Sequence, residues 1–150
     1  MKFKIENLPA SKIAYIRKVG PYGADNFKTM MKLKQWAKEN KLMTGSTIFA
    51  RIHDNPMVTP PENCRYDACI VIEEDFKIER SSLKADFLYG GKHAVIEIEH
   101  TEAAVQEAWN DVLNAIMCKS IDYNQSKPIL ERYKDDLVKK NKCEICVPIK

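Results

Sequence analysis

The chain has 150 residues, of which 45% are hydrophobic and 30% charged, an ordinary composition for one globular domain. Its 24 Lys and Arg residues against 21 Asp and Glu residues give a net charge of +3, with the lysines scattered rather than clustered. This distribution disfavours direct nucleic-acid binding, and no segment has the ~20 consecutive apolar residues of a membrane span. Five cysteines at irregular spacings are typical of reduced thiols, so we expect a cytoplasmic protein.

The first half of the chain predicts a strand, a helix and two further strands. β-forming residues at 12–19 predict a strand that ends at a Gly-Pro turn over 20–23. Apolar residues at steps of three and four predict a helix over 25–40 with one buried face. Short apolar runs predict strands over 47–52 and 65–72.

The second half repeats this order after the turn at Gly90-Gly91. It predicts a strand, a helix and two strands at residues 92–98, 102–118, 128–133 and 143–149. Thr101 is placed to cap the first free amides of that helix. Between the halves, apolar residues flanked by charge within 76–89 predict one more strand.

The two halves also match in sequence, which predicts an internal duplication. Three segments superpose at offsets of 80, 81 and 77: Ala14-Tyr15-Ile16 on Ala94-Val95-Ile96, Ile48–Ile52 on Ile129–Tyr133, and Tyr66–Val71 on Cys143–Pro148. We therefore predict a single α+β domain over residues 1–150 with pseudo-twofold symmetry, repeat 1 covering about 3–73 and repeat 2 about 85–150. Antiparallel sheets would carry the helices on one side and leave a ligand groove between the repeats.

Glu131 is the residue most indicative of chemistry. Strand alternation places Glu131 and Tyr133 on one face and Arg132 on the other. The repeat-equivalent position is Ala50, so the symmetry is broken at this point. A carboxylate among aromatic rings is costly to ionise alone, so it has a raised pKa or awaits a cationic ligand. An exposed or arginine-paired glutamate is the alternative reading.

Aromatic residues are the second feature that indicates a ligand-binding site. Rings that face a groove offer stacking and cation–π contacts to a flat cationic molecule, at about 0.5 to 2 kcal/mol each. We assign Trp109 to the site and Trp36 to the core. Cys146 and its repeat equivalent, Cys69, are expected to face the groove.

No metal or cofactor site is predicted. Cys143 and Cys146 have a C-x-x-C spacing, but residues three apart on a strand lie on opposite faces. The three histidines show no ligand spacing and are read as surface residues. Phosphate-binding glycine loops and nucleophile elbows have no counterpart in the sequence.

Several short motifs spread over almost the whole chain resemble one known family. They are Ala14-Tyr15-Ile16-Arg17 leading to Gly20-Pro21-Tyr22, then Arg65-Tyr66-Asp67-Ala68-Cys69, Gly90-Gly91-Lys92-His93-Ala94-Val95, Ala108-Trp109, Glu131-Arg132-Tyr133 and Glu144-Ile145-Cys146-Val147-Pro148-Ile149. In this order and spacing they are similar to the GyrI-like small-molecule-binding family. That domain is also the effector-binding module of AraC-type and MerR-type multidrug regulators.

The resemblance implies a duplicated strand-helix-strand-strand fold with a groove. In regulators of the family, an acidic residue in the penultimate strand, surrounded by aromatics, meets cationic lipophilic drugs. Glu131 falls on that position, and Trp109 and Phe49 fall on the walls. The chain departs from the family at Cys146, which replaces the usual aromatic of the last strand, and at 100–102, where Gly-Pro-Tyr is expected.

These observations favour a stand-alone protein that senses or sequesters a lipophilic, cationic small molecule. The expected ligand-binding residues are Glu131, Trp109, Phe49, Tyr66, Tyr133 and Cys146. Two alternatives remain open. One is a hydrolase of electrophilic molecules in which Glu131 acts with Tyr133 or Tyr66 as general acid or base. The other is a protein-interaction module, such as a DNA gyrase inhibitor-like protein.

Overall fold

A computed structural model of the chain describes residues 2–79 and 83–150. Within these ranges the strands are β1 (Lys4–Leu8), β2 (Ser11–Val19), β3 (Thr47–Ile52), β4 (Arg65–Ile72), β5 (Lys84–Leu88), β6 (Gly91–Glu99), β7 (Ile129–Lys134) and β8 (Lys142–Pro148). The helices are α1 (Asp25–Glu39), α2 (Glu102–Met117) and the short α3 (Asp135–Val138), with a 3-10 turn at Pro61–Asn63.

The predicted strand-helix-strand-strand order is confirmed in both halves, with ends that differ by one residue. The extra strand expected within 76–89 is β5, and residues 80–82 of that expectation lie outside the described residues. Two elements, β1 and α3, were not predicted. The described part of the chain contains no helix long and apolar enough to cross a membrane.

Each long helix buries one narrow stripe of small and aliphatic side chains. In α1 the stripe contains Met30, Leu33 and Ala37. Phe27 has the sequence spacing of this stripe, and we predicted it to be buried, but its side chain is 68% exposed. In α2 it contains Ala108, Val112 and Ala115. The predicted cap is confirmed, because the Thr101 hydroxyl accepts a hydrogen bond from the Ala104 amide at 3.2 Å. These stripes fix which helix faces meet the sheet.

All eight strands form one antiparallel sheet rather than separate sheets. Their order, β1-β6-β8-β7-β3-β4-β2-β5, reads the same from both ends once each strand is replaced by its repeat equivalent. The register agrees with the sequence offsets, since Ala14 faces Ile70 in the first half and Ala94 faces Val147 in the second. At the centre, Ala50 of β3 is directly opposite Glu131 of β7. The pseudo-twofold axis therefore passes between these two repeat-equivalent residues.

The outer strands are exchanged between the halves. β1 comes from the start of the chain but pairs with β6, and β5 precedes β6 in sequence but pairs with β2. The two corners meet at Gly90, where a Cβ atom would lie 1.9 Å from the Leu8 carbonyl oxygen. Only glycine fits this approach, so the exchange depends on a residue without a side chain.

The sheet has two covered faces. The front face carries α1 over the first half and α2 over the second, each with its own apolar cluster. On the back face the sheet curls, so that Leu8 and Leu88 of the outer strands join Phe49 and Leu130 of the central strands in a third cluster. The space between α1 and α2 on the front face is the groove.

Two repeat-equivalent ionic networks hold the outer strands from the back face. Arg132 of β7 donates to Glu6 of β1 at 2.7 and 3.1 Å and to Glu144 of β8 at 2.9 Å. In the other half, Arg51 of β3 donates to Asp86 of β5 at 3.1 Å and to Asp67 of β4 at 2.9 Å. Each network thus ties a central strand to an exchanged outer strand. Alternation keeps both arginines away from the groove.

Candidate functional site

Glu131 lies in the middle of β7, on the sheet face that α1 and α2 cover. Its half-buried carboxylate accepts two hydrogen bonds, one from Trp109 Nε1 to Oε2 at 2.6 Å and one from the Tyr133 hydroxyl to Oε1 at 2.7 Å. Trp109 is on α2, whereas Tyr133 is two residues along the same strand. Two aromatic donors from separate elements therefore fix the orientation of the carboxylate.

The carboxylate of Glu131 has no cationic partner. Among residues 2–79 and 83–150, no lysine, arginine or histidine nitrogen lies within 4.0 Å of it. The fully buried carboxylates of the back face differ, because Asp67 and Glu144 both pair with arginines. A carboxylate can accept about four hydrogen bonds, so Glu131 retains acceptor capacity for a further group.

Two cavities flank Glu131 and together form the groove. The larger cavity, of about 650 Å³, has a mixed lining of aromatic, aliphatic and charged side chains, among them Phe27, Met30, Lys34, Tyr66, His100, Glu102 and Tyr133. The smaller cavity, of about 290 Å³, has an uncharged lining apart from Glu131, with Tyr22, Ile52, Pro56, Gln106, Trp109, Asn110 and Leu113. Gly23, Asn26, Val105 and Glu131 line both cavities. Glu131 is therefore the point where the two cavities join.

The groove keeps its hydroxyl and imidazole groups neutral at pH 7. Burial, together with the nearby Glu131 charge, raises the pKa of Tyr66 and of Tyr133 well above the ordinary value of 10. Burial, and then the Lys34 ammonium, lower the pKa of His100 below 6.5. Both tyrosines thus remain hydrogen-bond donors, and the imidazole adds no positive charge.

Three of the residues assigned to ligand binding from the sequence lie beside Glu131. Trp109 lines the smaller cavity, and Tyr66 and Tyr133 line the larger one. Trp36, assigned to the core, packs edge to face on Phe76 with ring centroids 5.9 Å apart and lines neither cavity. The aromatic residues that were assigned to the groove and line it therefore come from α2, β4 and β7.

Two assigned residues do not reach the groove, and their assignment is corrected here. Phe49 and Cys146 belong to the back-face cluster, where both are buried. Phe49 precedes Ala50, and Cys146 follows Ile145, whose side chain faces α2. Alternation along a strand therefore turns both side chains away from Glu131. Cys69, equivalent to Cys146, lies in the same cluster.

The histidines are not the surface residues that the sequence indicated. His93 is buried with Nδ1 at 2.7 Å from the Gly91 carbonyl, and His53 Nε2 lies 2.6 Å from the Asp67 carboxylate. His100 lies in the groove, with its ring centroid 5.3 Å from that of Tyr133. The sequence could have indicated this position, because His100 directly precedes Thr101, the residue that caps α2, and the chain enters α2 beside the groove.

Lys34 is another groove residue that was not predicted from the sequence. It follows Met30 by four positions, and residues four apart share a helix face. Both line the larger cavity. A lysine on the apolar side of α1 was the signal that could have identified it.

A groove with aromatic walls and one half-buried carboxylate that lacks a cationic partner, covered by two helices on an antiparallel sheet, is characteristic of a domain that binds small organic molecules. The family model confirms this class of protein: the GyrI-like small molecule binding domain matches residues 1–150. The chain belongs to this family.

Similar proteins include regulators and inhibitors. The chain is 39% identical over 150 residues to "SPbeta prophage-derived putative transcriptional regulator YosT" of Bacillus subtilis (strain 168), covering 99% of both chains. It is 26% identical over 118 residues to DNA gyrase inhibitor 2 of Dickeya dadantii (strain 3937), covering 77% of this chain and 74% of that protein. The structure of SAV2435 bound to tetraphenylphosphonium shares the fold, with a TM-score of 0.66, 17% identity and coverage of 100% of this chain and 94% of that one.

Proposed function

We propose that this protein binds a lipophilic, cationic small molecule in the groove, where it senses or sequesters that ligand. The observation that carries the proposal is the half-buried carboxylate of Glu131, which has two neutral donors and no cation within ion-pair distance among the described residues. Two unlike cavities meet at this charge, so a ligand with a central positive charge and apolar groups on both sides would fill them.

The electrostatics favour a ligand that brings its own positive charge. Removing a carboxylate from water is costly, and neutral hydrogen bonds offset only part of that cost. A cation bound beside Glu131 would offset more of it, and the attraction is stronger in a partly dry groove than in water. The Trp109 and Tyr133 rings add cation–π contacts of about 0.5 to 2 kcal/mol each. Tetraphenylphosphonium, which SAV2435 binds, is a cation of this type.

Replacing Glu131 with glutamine tests this directly. The glutamine carbonyl can still accept from Trp109 Nε1, and its amide can donate to the Tyr133 oxygen, so we expect the variant to fold. Calorimetric titration with tetraphenylphosphonium should show a loss of about 1.5 to 3 kcal/mol, or roughly ten- to a hundredfold in Kd. The neutral analogue triphenylphosphine oxide should bind both proteins with similar affinity.

Glu107→Gln is the matched control. Glu107 is exposed on α2 and lines neither cavity, so this substitution removes the same charge outside the groove. Its affinity for the phosphonium should remain close to that of the parent protein. If Glu131→Gln binds the phosphonium as tightly as the parent does, the central role of Glu131 is wrong. If Glu131→Gln loses the same affinity for the phosphonium and for the neutral analogue, the substitution acts through the shape of the groove rather than through charge.

A further inference from the structure

Lys34 is a second unpaired charge in the groove. Its half-buried side chain lines the larger cavity on the α1 side. No described residue accepts a hydrogen bond from its ammonium or forms an ion pair with it. Each of the five other half-buried lysines has a carbonyl or carboxylate partner: Lys12, Lys18, Lys127, Lys134 and Lys142. Lys34 is therefore the exception among the lysines of this chain that are withdrawn from water.

Among the described residues, the two half-buried charges of the groove without ion-pair partners, Glu131 and Lys34, line the same cavity but do not neutralise each other. The Lys34 ammonium is near enough to His100 to contribute to the lowered pKa of that imidazole. The His100 ring packs on Tyr133, whose hydroxyl donates to Glu131. The ammonium and the carboxylate therefore act on the same imidazole and line the same cavity, although they remain more than 4.0 Å apart. Glu102, which also lines this cavity, does not pair with Lys34 either.

A lone ammonium is unfavourable for a ligand that carries only positive charge. It repels a cation placed beside Glu131 and cancels part of the attraction from that carboxylate. A ligand that also carries an anionic group would turn this repulsion into a second ion pair. The lining of the larger cavity then offers a carboxylate for a cation, an ammonium for an anion, and aromatic side chains for the rest of the ligand.

We propose that the ligand is an aromatic zwitterion, which places its cationic nitrogen at Glu131 and its carboxylate at Lys34. This rests on the proposed function, since it adds a second charge contact to the same site. The uncharged smaller cavity, beyond Glu131, takes the apolar end of the molecule. We therefore expect a zwitterion, which has no net charge, to bind more tightly than a simple lipophilic cation of the same size.

A matched pair of dyes tests the proposal. Rhodamine B carries a xanthylium cation and a carboxylate, whereas its ethyl ester keeps the cation and lacks the negative charge. Lys34→Met keeps the length and helix propensity of the side chain and breaks no hydrogen bond, so the variant should fold. Fluorescence anisotropy should show that Lys34→Met weakens rhodamine B by roughly fivefold, the scale of a partly exposed ion pair. The ethyl ester should bind Lys34→Met as tightly as the parent or more tightly, because a repulsion has been removed.

Lys32→Met is the control, since Lys32 is exposed on α1, lines neither cavity and carries the same charge. Equal shifts of the two dyes in Lys34→Met, or no shift of either, would overturn the assignment of the carboxylate to Lys34. In that case the proposed function still holds if Glu131→Gln weakens both dyes. If neither dye responds to Glu131→Gln, the proposed function fails as well.

Discussion

The two repeat-equivalent arginines of the back face should contribute unequally to stability. In Arg132→Met the carboxylate of Glu144, which is 1% exposed, loses its 2.9 Å partner, and among the described residues it keeps only Lys134 Nζ at 3.4 Å. Glu6 loses both of its hydrogen bonds to Arg132 in the same step. Leaving a buried carboxylate without its partner costs about 3 to 5 kcal/mol of unfolding free energy.

Arg51→Met should cost less, although Arg51 occupies the equivalent position. Asp67 would keep the hydrogen bond from Arg17 Nε at 2.7 Å and the contact with His53 Nε2 at 2.6 Å. In the described part of the chain Arg51 Nη2 is buried without a partner, so the substitution also removes an unfavourable group. Together these differences predict a loss of about 1 to 2 kcal/mol, the scale of one hydrogen bond to a charged group.

Urea unfolding followed by circular dichroism measures both losses, with equal m-values confirming that unfolding stays two-state. The double variant Arg132→Met/Glu144→Leu should recover much of the loss, since it removes the stranded charge together with its partner. Equal losses for Arg132→Met and Arg51→Met, or a larger loss for Arg51→Met, would refute the reasoning that remaining partners decide the cost.

Two further predictions concern titratable groups away from the groove. The Arg132 hydrogen bond lowers the pKa of Glu6 from 4.5 to about 2, so its stabilising contribution is present above pH 4.5 and lost as the pH falls towards 2. Glu6→Gln should flatten the fall of the urea midpoint in that window, and an unchanged pH profile would contradict this role. Burial raises the pKa of Cys143 and of Cys146 to about 12, whereas Cys118 is exposed. Ellman's reagent should therefore label one thiol quickly in the folded protein and none in Cys118→Ser; fast labelling of a second thiol would contradict the burial of the other four cysteines.

Local patterns were sufficient for the two long helices, for every described strand except β1, and for the centre of the groove. Strand alternation and the repeat offset identified Glu131 as an asymmetric residue, and the structure pairs it with Ala50, its repeat equivalent. The positions of Trp36 and Trp109 along their helices also showed that the two tryptophans are not repeat equivalents. These inferences need only contacts within one element or between the two copies.

Long-range pairing was beyond the same patterns. The apolar residues of β1 and β5 are consistent with pairing in either half, and the exchange is decided by the close approach at Gly90 and the ionic contacts of Arg132 and Arg51. Phe49 was placed on the groove wall by resemblance, although alternation with Ala50 already puts it on the other face. Cys146 was placed there because it occupies the position of the family's usual aromatic in the last strand, and only the register with β7 shows its direction.

The position of Glu131 on the pseudo-twofold axis explains why the site has to be asymmetric. Residues directly opposite on antiparallel strands have Cβ atoms about 4.5 to 5.5 Å apart, and Ala50 is directly opposite Glu131. A strictly symmetric protein would carry two carboxylates at this separation, and their repulsion would raise the pKa of one until they shared a proton. The pair would then present about one negative charge spread over two side chains, with no room between them for a ligand. Alanine on one strand and glutamate on the other instead place the negative charge on a single side chain. The hydrogen bond from Trp109 to Glu131 and the unpaired ammonium of Lys34 are likewise present in only one copy of the repeat.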